Sequence, residues 1–418
     1  MQLVLRRFVT VALASSLGLA SACGGGDAAN PDETKSNTIL IGEFGSLTGA
    51  EATFGQSTHN GILLAVKQAN AAGGVNGKTV EVRTYDDQGK TQEAGTVVTR
   101  LIQDDHVTAI IGEVASSLSI AGGRVAQQYG VPMVSPSSTN AQVTQIGDMI
   151  FRVCFVDSFQ GYVGAKFARE TLHADRAAIL YDQAQAYSKG LKEDFSRAYT
   201  ESGGTIVGEA QAYTGGDQDF SAQLTTIRAL DPQIIYLPGY YTDVGNIAIQ
   251  ARKLGITAPL LGGDGWDSAQ LAKIGQAAIE GSYYSNHYSH EDQRPEVQEF
   301  VGTYEAEYRT VPDGLAALGY DATRLLFAAM KRAPGATGKE LAKAIAETRD
   351  FPGVTGVITI DAQRNALKPA VIVQMKGGKP SYVASIRQPG LPAATPPLPR
   401  EAAAAEPTAA PPTATVAP

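Results

Sequence analysis

Thr79-Val-Glu-Val-Arg-Thr-Tyr85, Thr108-Ala-Ile-Ile-Gly112 and Val131-Pro-Met-Val-Ser135 are three short runs rich in apolar and β-branched residues. Between them lie Thr91 to Asp104 and Ser119 to Tyr129, whose apolar residues recur at helical spacing. Strands that alternate with helices read as parallel βαβ units, so this stretch sets an α/β fold class. Working toward the N-terminus, Thr38-Ile-Leu-Ile-Gly42 reads as a further buried strand and Gly61 to Asn70 as a helix, followed by the turn Gly73-Gly74-Val75-Asn76-Gly77. Toward the C-terminus the alternation starts again after Arg152. Helices are expected at Gly161 to Leu172, Gly190 to Ser202 and Ser221 to Ala229, and strands at Ala177 to Tyr181, Thr205 to Glu209 and Ile234 to Pro238. The same architecture written twice predicts two Rossmann-like lobes with parallel sheets. Gln293 to Arg332 reads as helical, and Gly356 to Asp361 with Ala370 to Met375 as the strands of a closing hairpin.

The ends of the chain read as addresses and tethers. Arg6 and Arg7 precede an uncharged, mostly apolar run from Phe8 to Leu19, and Ala20-Ser21-Ala22 then leads to Cys23. Residues 1–22 therefore read as a signal peptide. Cys23 reads as a lipidated residue opening a flexible tether over 23–37, with the protein exported and membrane-anchored in the periplasm or at the cell surface. Only two cysteines occur, so lipidation of Cys23 leaves Cys154 without a partner and no disulfide framework is available. Stability must then come from hydrophobic burial, for which Thr38 to Gln388 is long enough to build two domains. Residues 389–418, rich in Pro, Ala and Thr, read as disordered. The formal net charge of −8 argues against a nucleic-acid partner.

Catalytic and cofactor motifs are weak. Gly77-Lys78-Thr79 suggests a phosphate loop, but Ala72 stands where that pattern needs glycine and the segment runs from helix into strand, so it reads as a turn. His287 and His290 flank Glu291 and Asp292 without the spacing of a metal site, and read as part of a solvated loop. No GxSxG elbow occurs and no nucleophile–base pair is recognisable, so neither an enzyme nor a cofactor or metal is expected. More informative are polar residues just past the C-terminal ends of the expected strands, where open α/β sheets bind ligands. Ala115-Ser116-Ser117 and Pro136-Ser137-Ser138-Thr139-Asn140 offer hydroxyls and backbone groups to a carboxylate, while Tyr187, Tyr240 and Asp264 occupy such ends in the second series. Taken singly, the serines and Thr139 equally read as helix caps, and Asp264 as a turn residue among glycines.

These residues carry a resemblance. Gly45-Ser46-Leu47-Thr48-Gly49 with Phe54-Gly55, the helix ending at Asn70 to Gly77, Tyr85-Asp86-Asp87, Ile111-Gly112 before Ala115-Ser116-Ser117, and Pro132 to Pro136 resemble the branched-chain amino-acid-binding family of periplasmic receptors. Asp182 to Leu191, Asp219-Phe220 and Gly262 to Asp267 extend the likeness over nearly all of Thr38 to Gln388. The resemblance implies a type I bilobed periplasmic-binding-protein fold with a three-segment hinge, near Arg152 to Asp157, Tyr284 to Tyr288 and Gly353 to Gly356. One lobe would then comprise residues 38–154 and 286–356, and the other 155–285 and 357–388. It further implies that Ser116, Ser138 and Thr139 hold a ligand carboxylate, that Asp264 holds an ammonium, and that Phe54, Tyr187 and Tyr240 cover the ligand. Trp266 could line the pocket or pack beside the hinge. Phe54 stands where members often carry Tyr, and Ala115 where some carry a disulfide cysteine. Delivery of an amino acid to the permease subunits of an ABC transporter by a monomeric receptor is the expected function. Ligand sensing, or binding of amides, urea or aromatic acids, is the alternative.

Overall fold

The computed structural model describes residues 37–388, in which two parallel sheets are wound in the same way. In the first, Thr38–Gly45 pairs with Thr79–Asp86 on one side and Ile110–Ile111 on the other, followed outward by Met133–Ser135 and Ile150–Arg152. In the second, Arg176–Asp182 lies between Thr205–Ile206 with Gln211–Tyr213 and Ile234–Tyr236, followed outward by Leu260–Gly262 and Tyr283–Asn286. Each sheet thus places its first strand second in order and reverses direction beside it. That reversal opens a crevice at the carboxyl ends of the strands. The signal peptide expected over 1–22, the lipidation expected at Cys23, all but the last residue of the expected tether and the tail expected over 389–418 lie outside the described residues.

Most expected elements sit where the apolar periodicity puts them, with shifts at their ends. The first helix is twice the expected length, Ala52–Ala71, because its opening turns carry Thr53, Gln56, Ser57 and His59 and show no apolar repeat. It packs against Gly314–Arg332 at Gly61, where a Cβ would lie 2.0 Å from the carbonyl oxygen of Ala316. Only glycine allows that backbone approach. The helical region from Gln293 to Arg332 is two helices, Pro295–Tyr308 and Gly314–Arg332. They are separated at Arg309 (φ 60°), and Asp313 caps the second by accepting from the N–H of Ala316. Gly73 to Gly77 is the expected turn, closed by reciprocal backbone hydrogen bonds between Val75 and Lys78.

The closing hairpin differs from expectation. Gly356–Ile360 pairs with Phe351–Gly353 and Ala366–Leu367 in a small separate sheet, whereas Ala370–Lys376 joins the second lobe's sheet between Tyr283–Asn286 and Lys379–Ile386. The hairpin that exists is Ala370–Lys376 with Lys379–Ile386. It turns on Gly377-Gly378, both at positive φ (60° and 73°) as a tight two-residue turn requires.

The third passage between the lobes moves with it. Gly353 pairs with Gly356 within a turn whose Val354 and Thr355 amides donate to the carboxylate of Asp321, on the helix Gly314–Arg332. Further along, the N–H of Arg152 donates to Arg364 O and Thr144 Oγ1 donates to Asn365 Oδ1, which keeps this segment on the first lobe. The chain therefore crosses between Leu367 and Ala370, not at Gly353 to Gly356. Cys154 lies in the first passage, fully buried with a free thiol that burial pushes up to about 12.

Candidate functional site

The loops leaving the carboxyl ends of both sheets meet in one crevice. Phe54 and Val114 follow the first and third strands of the first sheet, Ser137 follows its fourth, and Leu315 opens the helix Gly314–Arg332. Tyr187, Tyr240, Asp264 and Gly265 face them from the second sheet. The rings form a continuous cover. Tyr187 stacks on Tyr240 (centroids 5.3 Å, 11°), and Phe54 meets Tyr240 edge-on at 5.5 Å and Tyr241 at 5.0 Å. Gly263 and Gly265 allow this closeness, since a Cβ on Gly263 would sit 2.4 Å from the Tyr187 hydroxyl.

Hydrogen bonds join the lobes around the crevice and hold it closed. The Tyr241 and Thr242 hydroxyls both donate to Ala50 O at 2.8 Å, Thr53 and Ser268 share a hydroxyl pair at 2.9 Å, and Gly314 N donates to Asp267 Oδ2 at 2.6 Å. On the opposite rim Ala186 N donates to Ser117 Oγ, and Asn140 Nδ2 donates to Ala186 O. The cavity left inside is about 10 Å³, room for little more than one water. That is below the roughly 300–1,000 Å³ of most small-molecule sites, so a ligand enters by parting the lobes.

The residues singled out from sequence separate into two groups. Phe54, Tyr187, Tyr240 and Asp264 converge on the crevice. Ser116 and Thr139 are buried beside it on the first-lobe side: Ser116 Oγ accepts from Asn140 N at 3.2 Å, and the Thr139 hydroxyl faces the Asp157 carboxyl. Ser138 is different. Its hydroxyl lies 3.0 Å from Glu113 O, 2.9 Å from Val114 O and 2.7 Å from Ser119 Oγ, so it knits two loops together behind the wall. The neighbour Ser137 faces the crevice instead, with an unpartnered buried hydroxyl. Trp266 is not a wall. It is fully buried, donates from Nε1 to Leu237 O at 3.0 Å, and lies against Gly262 and Tyr284.

Sequence reasoning passed over three polar residues at the back of the crevice. Gln160 Nε2 donates to Asp264 Oδ1 at 2.8 Å, and His287 Nε2 lies 2.9 Å from Asp264 Oδ2. His287 is 2% exposed, which overturns its reading as part of a solvated loop. Asp157, at the start of the helix Asp157–Glu170, is 1% exposed with no well-formed hydrogen bond at either oxygen. Both His287 and Asp157 follow fifth strands, Tyr283–Asn286 and Ile150–Arg152. Ile150-Phe-Arg152 ends on arginine and Tyr283-Tyr-Ser-Asn286 is half polar, so neither shows the apolar run that marks the other strands, and the signal was the strand-end rule applied one strand further out.

Burial sets the charges. It lowers His287 to about 4, so the ring is neutral at pH 7, and it raises Asp157 to about 8. Burial also lifts Glu113 well above the carboxylate range, and Tyr187 and Tyr240 well above the phenol range. Both tyrosines are therefore neutral, and the Tyr240 hydroxyl is left without a partner. At the rim Glu51 rises to about 7, through burial and then the Asp243 carboxylate of the opposite lobe. The crevice thus offers neutral hydroxyls on one wall and a carboxylate held by two donors on the other. Among the described residues no group of His, Cys, Asp or Glu could hold a metal ion.

This arrangement has relatives. The chain matches the periplasmic binding protein family over residues 38–379. It is 30% identical over 327 residues to the leucine-, isoleucine-, valine-, threonine- and alanine-binding protein of Pseudomonas aeruginosa, covering 78% of this chain and 86% of that one. The crystal structure of a leucine-binding protein from Thermotoga maritima superposes with a TM-score of 0.81 at 38% identity, over 84% of this chain and 99% of the other. The branched-chain amino-acid transporter substrate-binding protein of Streptococcus pneumoniae, in complex with isoleucine, gives 0.78 at 34% over 84% and 99%. A Rhodopseudomonas palustris solute-binding protein in complex with benzoate gives 0.76 at 23%, over 84% and 98%, a likeness of fold.

Proposed function

We propose that this chain, which belongs to the periplasmic binding protein family, captures an amino acid with an apolar side chain between its lobes and delivers it to an ABC transporter. The observation that carries this reading is the polarity of the crevice. Asp264, with no cationic partner within hydrogen-bond reach, stands across from the unpartnered hydroxyl of Ser137, beneath the Phe54–Tyr240–Tyr187 cover. A zwitterion satisfies both walls, its ammonium at Asp264 and its carboxylate at Ser116, Ser137 and Thr139. Val114, Leu315 and Phe54 offer its side chain an apolar surface.

Closure follows from the same contacts. A ligand seated on the first lobe gains Asp264, Tyr187 and Tyr240 only when the second lobe arrives, so it shifts the population toward the closed form. The permease then distinguishes loaded from empty receptor by shape. Relatives named as leucine-, isoleucine- and valine-binding proteins support a branched-chain ligand. Cys23 is the proposed lipid anchor after removal of residues 1–22. Mass spectrometry of the N-terminal peptide tests it, and an unmodified Cys23 or an uncleaved leader would refute it. The ligand reading is tested by melting the protein with leucine, isoleucine, valine and benzoate. A shift with the three amino acids and none with benzoate is expected, and the reverse pattern would overturn it.

A further inference from the structure

We propose that His287 is a positioning residue: an uncharged Nε2–H donor that fixes the carboxylate of Asp264 and ties the ligand's charge site to the hinge. The inference rests on the reading of Asp264 as the ammonium acceptor.

The geometry begins with the carboxylate. Each oxygen of Asp264 has one donor, Gln160 Nε2 on Oδ1 and His287 Nε2 on Oδ2. Gln160 Nε2 also reaches Ser285 Oγ at 3.0 Å, so the amide is anchored to the strand that leads into His287. Two donors from different elements leave the carboxyl group little freedom to rotate. Both donors are neutral at pH 7, which matters for what the site can take. A cationic histidine would compensate the carboxylate internally, whereas a neutral one orients it and leaves its charge for an incoming ammonium.

Burial keeps His287 neutral against the pull of Asp264, whose hydrogen bond and charge favour the imidazolium. Asp264 approaches one edge. Phe155 covers one face, its ring centroid 3.7 Å away at 24°. Lys368, fully buried near the third passage, adds a positive charge that opposes protonation. Its own Nζ donates to Thr355 Oγ1, whose hydroxyl donates to Asp321. The ring's other nitrogen, Nδ1, has no acceptor beside it, so the ring proton sits on Nε2, where Asp264 accepts it.

The same ring sits on the moving part. His287 directly follows Tyr283–Asn286 in the second passage, and Phe155 lies between Ile150–Arg152 and Asp157–Glu170 in the first. One side chain therefore touches the ligand's acid with its edge and the neighbouring hinge segment with its face. Rotation of the passages as the lobes open must move this ring relative to Asp264 or carry Asp264 with it.

Long-range ¹⁵N correlation spectra of the ligand-free protein test the clamp directly, with His287→Gln to assign the signal. The expected result is a neutral Nε2–H ring at pH 7 with no titration above about pH 5, and a displaced Nε2 resonance in Asp264→Ala. An Nδ1–H tautomer, an imidazolium at pH 7, or an Nε2 signal indifferent to Asp264→Ala would overturn the proposal. Calorimetry with L-leucine tests the consequence. His287→Gln, which preserves a donor at the Nε2 position, should bind within about threefold of wild type. His287→Asn, too short to reach Asp264, should lose about tenfold to a hundredfold, the usual worth of a hydrogen bond to a charged group. Equal affinities for Gln and Asn would sink the positioning role. If wild type itself does not bind leucine, the ligand reading fails while the spectra still decide the clamp.

Discussion

The two lobes share a winding and differ in what they place at equivalent strand ends. After the fourth strand the first lobe presents Ser137, Ser138 and Thr139, and the second presents Gly263, Asp264 and Gly265. After the fifth strand the first lobe carries Asp157, raised by burial to about 8, and the second carries His287, lowered to about 4. At pH 7 the first wall is thus a set of hydroxyls beside a mostly protonated acid, and the second is a carboxylate beside a neutral ring. Duplicated topology supplies the crevice, and unlike loops give it two chemically distinct ends. A symmetric pair of walls would orient nothing.

The largest effect should come from removing the charged end. Asp264→Ala is expected to weaken binding of any amino acid by about 3–5 kcal/mol, because the ammonium is then buried without its partner. Calorimetry reads this, and unchanged affinity would dissolve the contrast between the walls.

Next in size is an acid-side loss of stability owed to His287. Its folded value of about 4 lies below the ordinary 6.5, so the unfolded chain binds the extra proton between those values. Stability from this group is therefore full above pH 6.5 and lost as pH falls toward 4, by up to about 3 kcal/mol. Denaturant melts of wild type and His287→Gln at pH 7 and pH 4.5 should show wild type losing more. Parallel losses would contradict the assigned shift.

The first lobe is sharpened by two adjacent serines. Ser138→Ala removes the hydroxyl shared among Glu113 O, Val114 O and Ser119 Oγ, and should cost about 1–3 kcal/mol of folding stability. Ser137→Ala should leave the melting curve alone and cost about 1 kcal/mol of leucine affinity. If the two effects were exchanged, the wall would be built on Ser138 as the family resemblance implies.

That pair also shows how far the sequence carries. The repeated strand–helix alternation from Thr38 to Pro238 was legible because buried parallel strands read as short apolar runs between helical repeats. Strand ends then pointed to the loops that bring Tyr187, Tyr240 and Asp264 to the crevice, with Ser116 and Thr139 buried beside it. Which of Ser137 and Ser138 faces inward depends on one residue of twist after Met133–Ser135, which no spacing rule resolves. Ile150–Arg152 and Tyr283–Asn286 carry polar residues that break the apolar run, so the loops they lead into were not read as crevice loops: Asp157 was passed over and His287 was read as part of a solvated loop. The misplaced hairpin has a similar origin. Gly356 to Asp361 and Ala370 to Met375 look alike as strands, and only the Gly377-Gly378 turn distinguishes the true partner of the second.

The central claim is that the crevice selects a molecule by its ammonium as well as its carboxylate. Titrating the protein with L-leucine and with 4-methylpentanoate, the same skeleton lacking only the amino group, decides it. Saturable leucine binding is expected, with a loss of at least about a hundredfold for the des-amino acid, because Asp264 is then left buried without its partner. Equal affinity for the two, or tighter binding of 4-methylpentanoate, would contradict it.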